Sequence, residues 1–139
     1  MTRSAVRRDE IPGDELERIL RRLAERFVEF GTAVSTSQPI DFLVKAEVIG
    51  ILDRAKALIG DQALDEIADY DTLGRYLVKK ASEAESESAG DDRGLLSSGV
   101  DALRHLGDDL ITPATSGETV MQHVRVLEMS CITLFQGGA

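Results

Sequence analysis

Residues 115–135, TSGETVMQHVRVLEMSCITLF, decide the predicted fold. Thr115 and Glu118 have the spacing of a capping box, in which the threonine oxygen and the glutamate carboxylate each accept a hydrogen bond from an exposed amide at a helix start. The residues after this cap are apolar nearly all the way around a helix, and strand-like patterns are limited to 124–129 and 131–135. A helix that is apolar on every side has to be surrounded. We therefore expect 115–135 to form the central rod of a bundle or to lie half buried against another chain.

Four other segments show the three- and four-residue apolar spacing of amphipathic helices. They cover residues 14–30, 39–59, 61–81 and 95–111. Gly31 and Gly60 are expected to end the first and second of these helices, and the second is apolar around so much of its circumference that we expect it to be covered on more than one side. Gly99 and Gly107 each weaken the fourth by about 1 kcal/mol relative to alanine. The sequence thus predicts an all-α fold, a single-domain bundle of about five helices within residues 14–139.

Two segments are predicted to lie outside the helices. Residues 1–13 lack apolar periodicity and end in Pro-Gly, which indicates a flexible N-terminal arm that closes on a turn. Residues 82–94, SEAESESAGDDRG, are low in complexity and contain no large apolar side chain. We expect this second segment to be the longest loop of the chain and to be mobile.

Charge and composition exclude several classes of function. The 139 residues include 16 basic and 25 acidic side chains, a formal net charge of -9. That sign argues against sequence-independent binding of DNA, RNA or an anionic membrane. No apolar run is long enough to cross a membrane, and a single cysteine, Cys131, rules out an internal disulfide framework. With no secretory signal pattern in the first twenty residues, we expect a cytoplasmic protein that needs no cofactor to fold.

A ridge of basic side chains on the first predicted helix is the main candidate for contact with nucleic acid. It consists of four arginines at three- and four-residue spacing: Arg18, Arg21, Arg22 and Arg26. Glu17, Glu25 and Glu29 alternate with these arginines, and opposite charges at this spacing are typical of a self-compensated, solvated helix face. A nucleic-acid-associated regulator that uses this ridge remains an alternative function.

Two histidines, His105 and His123, fall on the fourth and fifth predicted helices, where carboxylates could join them in a metal site. Di-iron bundles use Glu-x-x-His pairs, but Ala102 and Val120 occupy the positions three residues before these histidines. A second candidate, the calcium-loop-like stretch 69–80, lacks the oxygen ligands required at its fifth and twelfth positions. We therefore assign no metal ligand. A small helical metal-binding protein or enzyme that uses His105, His123 and acids of the third helix remains an alternative.

The sequence shows no catalytic or cofactor-binding constellation. Cys131 lies in the most apolar segment, where burial raises the pKa of a thiol and suppresses its reactivity. The glycines form neither a dinucleotide-binding fingerprint nor a P-loop. We assign no catalytic residue, and the chain favours a non-enzymatic role.

The function best supported by the sequence is protein–protein binding or assembly through helical surfaces, with a partner protein or a second copy of the chain. The second and fifth helices are more apolar than a bundle of this size requires, which indicates a surface that another molecule covers. The candidate interface is the apolar set of the fifth helix: Val120, Met121, Val124, Leu127, Ile132 and Phe135.

Overall fold

A computed structural model describes residues 12–61, 70–89, 96–112 and 117–137. Within these ranges the chain forms five helices and no strand. The helices are α1 (Pro12–Ser35), α2 (Phe42–Asp61), α3 (Asp71–Glu87), α4 (Ser97–Ile111) and α5 (Gly117–Gly137). This confirms the predicted all-α bundle of five helices.

The helices are arranged as a ring in which each packs mainly against two neighbours. Helix α1 contacts α2 and α3, α3 contacts α4, α4 contacts α5, and α5 returns to α2. Helix α1 supplies the largest buried side chains, Phe27 and Phe30. The ring of Phe30 meets that of Phe135 edge-on, with centroids 5.6 Å apart, which joins α1 to α5.

The prediction that the last helix forms a central rod is wrong. Helix α5 packs against α4 on one side and α2 on the other, and its outer surface faces solvent. Val126 and Met129 remain 46% and 64% exposed on that surface. Apolar residues occur on every side of α5, so its sequence alone does not show which side remains exposed to solvent.

Helix α2 is covered on two sides, by α1 and α5, but its first turn is not. Phe42 and Leu43 are 77% and 73% exposed. The helix begins three residues later than the predicted start at Pro39, because the carboxylate of Asp41 accepts a hydrogen bond from the Leu43 amide at 2.7 Å and caps the helix there.

Helix α1 is longer at both ends than predicted. It begins at Pro12, inside the segment expected to be a flexible arm, and continues past Gly31 to Ser35. The end comes where Ser37 adopts a left-handed backbone (φ 56°) and the Gln38 amide donates to the Ala33 carbonyl at 2.9 Å. Gly31 lies inside the helix, where it allows the backbone of α3 to approach closely. A Cβ at this position would lie 2.6 Å from the Ala84 carbonyl oxygen of α3.

Helix α3 differs from the prediction at both ends. Asp61, the expected first residue of the third helix, is the last residue of α2, and α3 begins at Asp71. Residues 82–87, expected to open a mobile loop, form the last turns of α3. Buried Ala84 packs there, and the Ser35 hydroxyl of α1 donates to the Glu87 carbonyl. Contacts with α1 thus stabilise a helical end that its low-complexity sequence does not indicate.

Some predictions fall on parts of the chain that the structure does not describe. They concern residues 1–11 of the expected arm, residues 62–69 of the expected third helix, residues 90–95 of the expected loop and the capping residue Thr115.

Candidate functional site

The face formed by α4 and α5 brings together the exposed polar and apolar side chains that could contact another molecule. The two helices run antiparallel. Near the start of α4, the hydroxyls of Ser98 and Ser130 are hydrogen-bonded at 2.7 Å. About two turns further along, the rings of His105 and His123 stack with centroids 5.3 Å apart. These contacts fix the register of α4 against α5 and so the positions of the other side chains on this face.

An open groove of about 370 Å³ lies at the serine end of this face. Its lining residues are Ser98, Arg125, Val126, Met129, Ser130 and Thr133. The lining is mainly apolar because the side chains of Val126 and Met129 point outward from α5. The groove is therefore a place where a partner could bury apolar surface.

The charge of the groove is opposite in sign to that of the chain. The whole sequence has nine more acidic than basic residues, yet no acidic side chain is among the groove residues, and Arg125 is the charged one. Arg125 is exposed, and its guanidinium can donate two parallel hydrogen bonds to a carboxylate. The groove thus combines an apolar surface with a donor for an acidic group.

At the other end of the face, a carboxylate orients one of the two histidines. Oδ2 of Asp109 lies 2.5 Å from Nδ1 of His123, and the Asp109 and His123 side chains are only 13% and 27% exposed. In neutral His123, a proton on Nδ1 that donates to Asp109 leaves the lone pair on Nε2. His105 is exposed and its ring lies within 26° of parallel to that of His123.

The sequence had suggested acids of the third helix as partners for these histidines, and the structure places a different carboxylate there. Of those acids, Asp71 binds Arg75 at 2.9 Å, and Asp65, Glu66 and Asp69 lie outside the described residues. The carboxylate that reaches His123 belongs to Asp109 of α4. Among the described residues, no group of three or more His, Cys, Asp or Glu side chains is arranged to hold a metal ion.

The predicted basic ridge lies on α1, and most of its charge is compensated. Arg21, Arg22 and Arg26 each pair with a carboxylate at 2.7 to 3.2 Å. Glu47 of α2 accepts hydrogen bonds at 2.8 Å from both Arg22 and Arg26. The hydrogen bond from Arg22, and to a smaller extent that from Arg26, holds the pKa of the Glu47 carboxyl below its usual value. Arg18, the fourth member, is exposed. The ridge therefore joins α1 to α2 more than it offers free charge to a phosphate.

Three of the six residues of the predicted apolar interface do not reach the surface of their own chain. Val120, Val124 and Leu127 are at most 3% exposed, because they face the core of their own chain. The other three, Met121, Ile132 and Phe135, are partly buried. The apolar residues that α5 does present to solvent, Val126 and Met129, were not among the predicted six. They lie outside the 120, 124, 127, 131 and 134 spacing, but that spacing is recognised as the buried set only once the neighbours of α5 are known.

The structure places Cys131 in the core, as the sequence indicates. The side chain is 1% exposed, and burial, with a smaller contribution from the charge of Glu128, raises the pKa of the thiol to about 12. The thiolate that nucleophilic attack requires is therefore not formed near neutral pH.

Comparisons with models of protein families, with curated proteins and with solved structures give no match to this chain. In the four described stretches, every helix falls short of the length and apolarity that crossing a membrane demands.

Proposed function

We propose that this protein is a non-enzymatic binding module, and that its α4–α5 groove receives an amphipathic helix of a partner protein. Apolar side chains of the partner would cover Val126 and Met129, and a carboxylate of the partner would bind Arg125. The observation that carries the proposal is the exposure of these two apolar side chains in a groove that contains no acidic residue. Helices commonly bind in apolar grooves in this way.

The area available in the groove implies a weak complex. Full burial of one side chain such as Val or Met contributes about 1.5–3 kcal/mol, and about half of Val126 and about one third of Met129 are already buried. Association costs at least about 4 kcal/mol in lost translational and rotational freedom. The ion pair with Arg125 and further contacts along the partner helix must supply the binding free energy that burial of these two side chains does not. We expect a Kd of roughly 10 µM to 1 mM.

Synthetic helical peptides of opposite charge test the proposal. One amphipathic peptide of about 18 residues carries Leu and Glu, and its counterpart carries Leu and Lys at the same positions. Binding is followed by amide chemical shifts of the labelled protein. We expect the acidic peptide to bind at least about tenfold more tightly than the basic one, with shifts centred on Val126, Met129 and Thr133, and Arg125→Glu to abolish or reverse this preference.

A pair of matched variants locates the binding surface. Met129→Asp removes an exposed apolar side chain inside the groove, and Leu43→Asp removes one that is at least as exposed on α2. Only Met129→Asp should weaken binding of the acidic peptide, by about tenfold or more. Equal effects of the two variants, or equal binding of the two peptides, would contradict the proposal.

Sedimentation equilibrium distinguishes a partner helix from a second copy of the chain. We expect the protein to remain monomeric at concentrations up to those used for binding. A dimer that dissociates on Met129→Asp but not on Leu43→Asp would mean that a second copy occupies the groove, and the partner-helix proposal would then be wrong.

The single buried cysteine is compatible with the cytoplasmic location that we propose for this module.

A further inference from the structure

The paired imidazoles at the other end of the α4–α5 face are not used by the proposed helix-binding groove. His105 lies on α4 and His123 on α5, and the packing of these two helices brings the two rings together. The carboxylate of Asp109 holds Nδ1 of His123, so the lone pair of the neutral ring is on Nε2. In metalloproteins, a carboxylate that accepts a hydrogen bond from the second ring nitrogen is the usual support for a metal-binding histidine.

We propose that His105 and His123 form a two-imidazole site for a divalent transition-metal ion of the class that prefers nitrogen ligands, with Zn²⁺ and Ni²⁺ as representatives. Nε2 of His123 is one ligand, a ring nitrogen of His105 is the other, and Asp109 orients His123 without binding the ion. Water occupies the remaining positions, because the described residues offer no third ligand at this place. This inference is independent of the groove and of its partner.

The separation of the two rings is already that of a shared metal ion. A zinc–nitrogen bond of about 2.1 Å plus an imidazole radius of about 1.1 Å puts each ring centre about 3.2 Å from the ion, and at a tetrahedral angle two such centres are about 5 Å apart. The observed separation of the centroids is 5.3 Å. The helices therefore need not move.

Binding requires only that the ring of His105 turn from its stacked orientation, in which it lies 26° from parallel to that of His123, so that one nitrogen of each ring is directed at the ion. His105 is exposed, so its side chain can rotate at little cost in free energy. His123 is restrained by Asp109 and provides the fixed half of the site.

The test is isothermal titration calorimetry of the full-length chain, freed of metal by chelation, with Zn²⁺ and with Ni²⁺. We expect one ion per chain, and Mg²⁺ at the same concentration should not bind, because it prefers oxygen ligands. His105→Ala, at the exposed position, should weaken binding more than 100-fold. Asp109→Asn should weaken it by about 10- to 100-fold, since it removes only the support for His123.

Asp108→Asn is the matched control for Asp109→Asn. Asp108 is an exposed acid on the same helix, one residue away, and its replacement should leave the affinity unchanged. Circular dichroism shows that each variant is folded. His123→Gln keeps a polar side chain next to Asp109 and serves if His123→Ala is unstable. The proposal is overturned if the unmodified chain binds neither ion, if His105→Ala binds as tightly as the unmodified chain, or if Asp108→Asn and Asp109→Asn are equally impaired.

Discussion

Replacement of Gly74 or Gly107 by alanine should destabilise the protein, although alanine is the better helix former. These glycines lie where α3 and α4 cross. A Cβ on Gly74 would come within 2.5 Å of the Gly107 carbonyl oxygen, and a Cβ on Gly107 within 2.6 Å of the Gly74 carbonyl oxygen. Because the obstructing atoms are backbone, a rotated side chain cannot relieve the clash. The two helices would have to separate.

The expected loss is about 1–3 kcal/mol of unfolding free energy for either variant, the usual cost of forcing extra volume into a packed interior. For a chain of this length the loss corresponds to a fall in Tm of roughly 3–12 °C, which differential scanning calorimetry measures.

Gly50→Ala is the matched control for both replacements. A Cβ at this exposed position of α2 has no neighbouring atom within 4 Å, so alanine should stabilise the protein by about 1 kcal/mol through helix propensity alone. If Gly74→Ala and Gly107→Ala raised the stability as Gly50→Ala does, α3 and α4 could not be in backbone contact.

The second large effect is expected on α5, where Leu127→Ala should cost about 2–5 kcal/mol. Leu127 is fully buried, and truncation leaves a cavity between α5 and the core. Met129 lies two residues further along, about 200° around the helix axis, and is 64% exposed. Met129→Ala should therefore change the stability by no more than about 0.5 kcal/mol.

Urea denaturation measures both variants. We expect Leu127→Ala to lower the midpoint at an unchanged slope, and the Met129→Ala curve to overlay that of the unmodified chain. A larger loss for Met129→Ala than for Leu127→Ala would mean that α5 is rotated, with its described inner and outer faces exchanged.

The fold could be predicted where a helix has one apolar face. In α1, five of the six apolar residues picked out by their three- and four-residue spacing are buried, namely Leu16, Leu20, Leu23, Phe27 and Phe30, and the sixth, Ile19, is partly buried against them. In α5 the same reasoning failed because apolar residues occupy every side. Spacing could not tell Leu127, in the core, from Met129, in solvent, since that depends on which neighbours the helix has.

Glycines were misread for a related reason. From the sequence, Gly31 signals a helix end and Gly107 a weak point in a helix. In the structure both lie inside helices, at places where one backbone closely approaches another. A close approach between segments that are distant in sequence leaves no local pattern.

Only some residues of the candidate site could be predicted, and their arrangement could not. His105 and His123 could be named from the sequence, but their stacking depends on the register of α4 against α5. Asp109 was missed because its contact with His123 depends on the same register. Arg125 was missed because its significance comes from the absence of acids among the residues that line the groove around it.

The central claim is that α5 is buried on the side that carries Cys131 and open to solvent on the side that carries Met129. Thiol labelling of the native Met129→Cys variant with Ellman's reagent tests this most directly. We expect one thiol per chain to react at once, and the second, Cys131, to react only after unfolding in urea. If the thiol at position 129 were as protected as Cys131, the outer side of α5 would be covered, and the open groove would not exist.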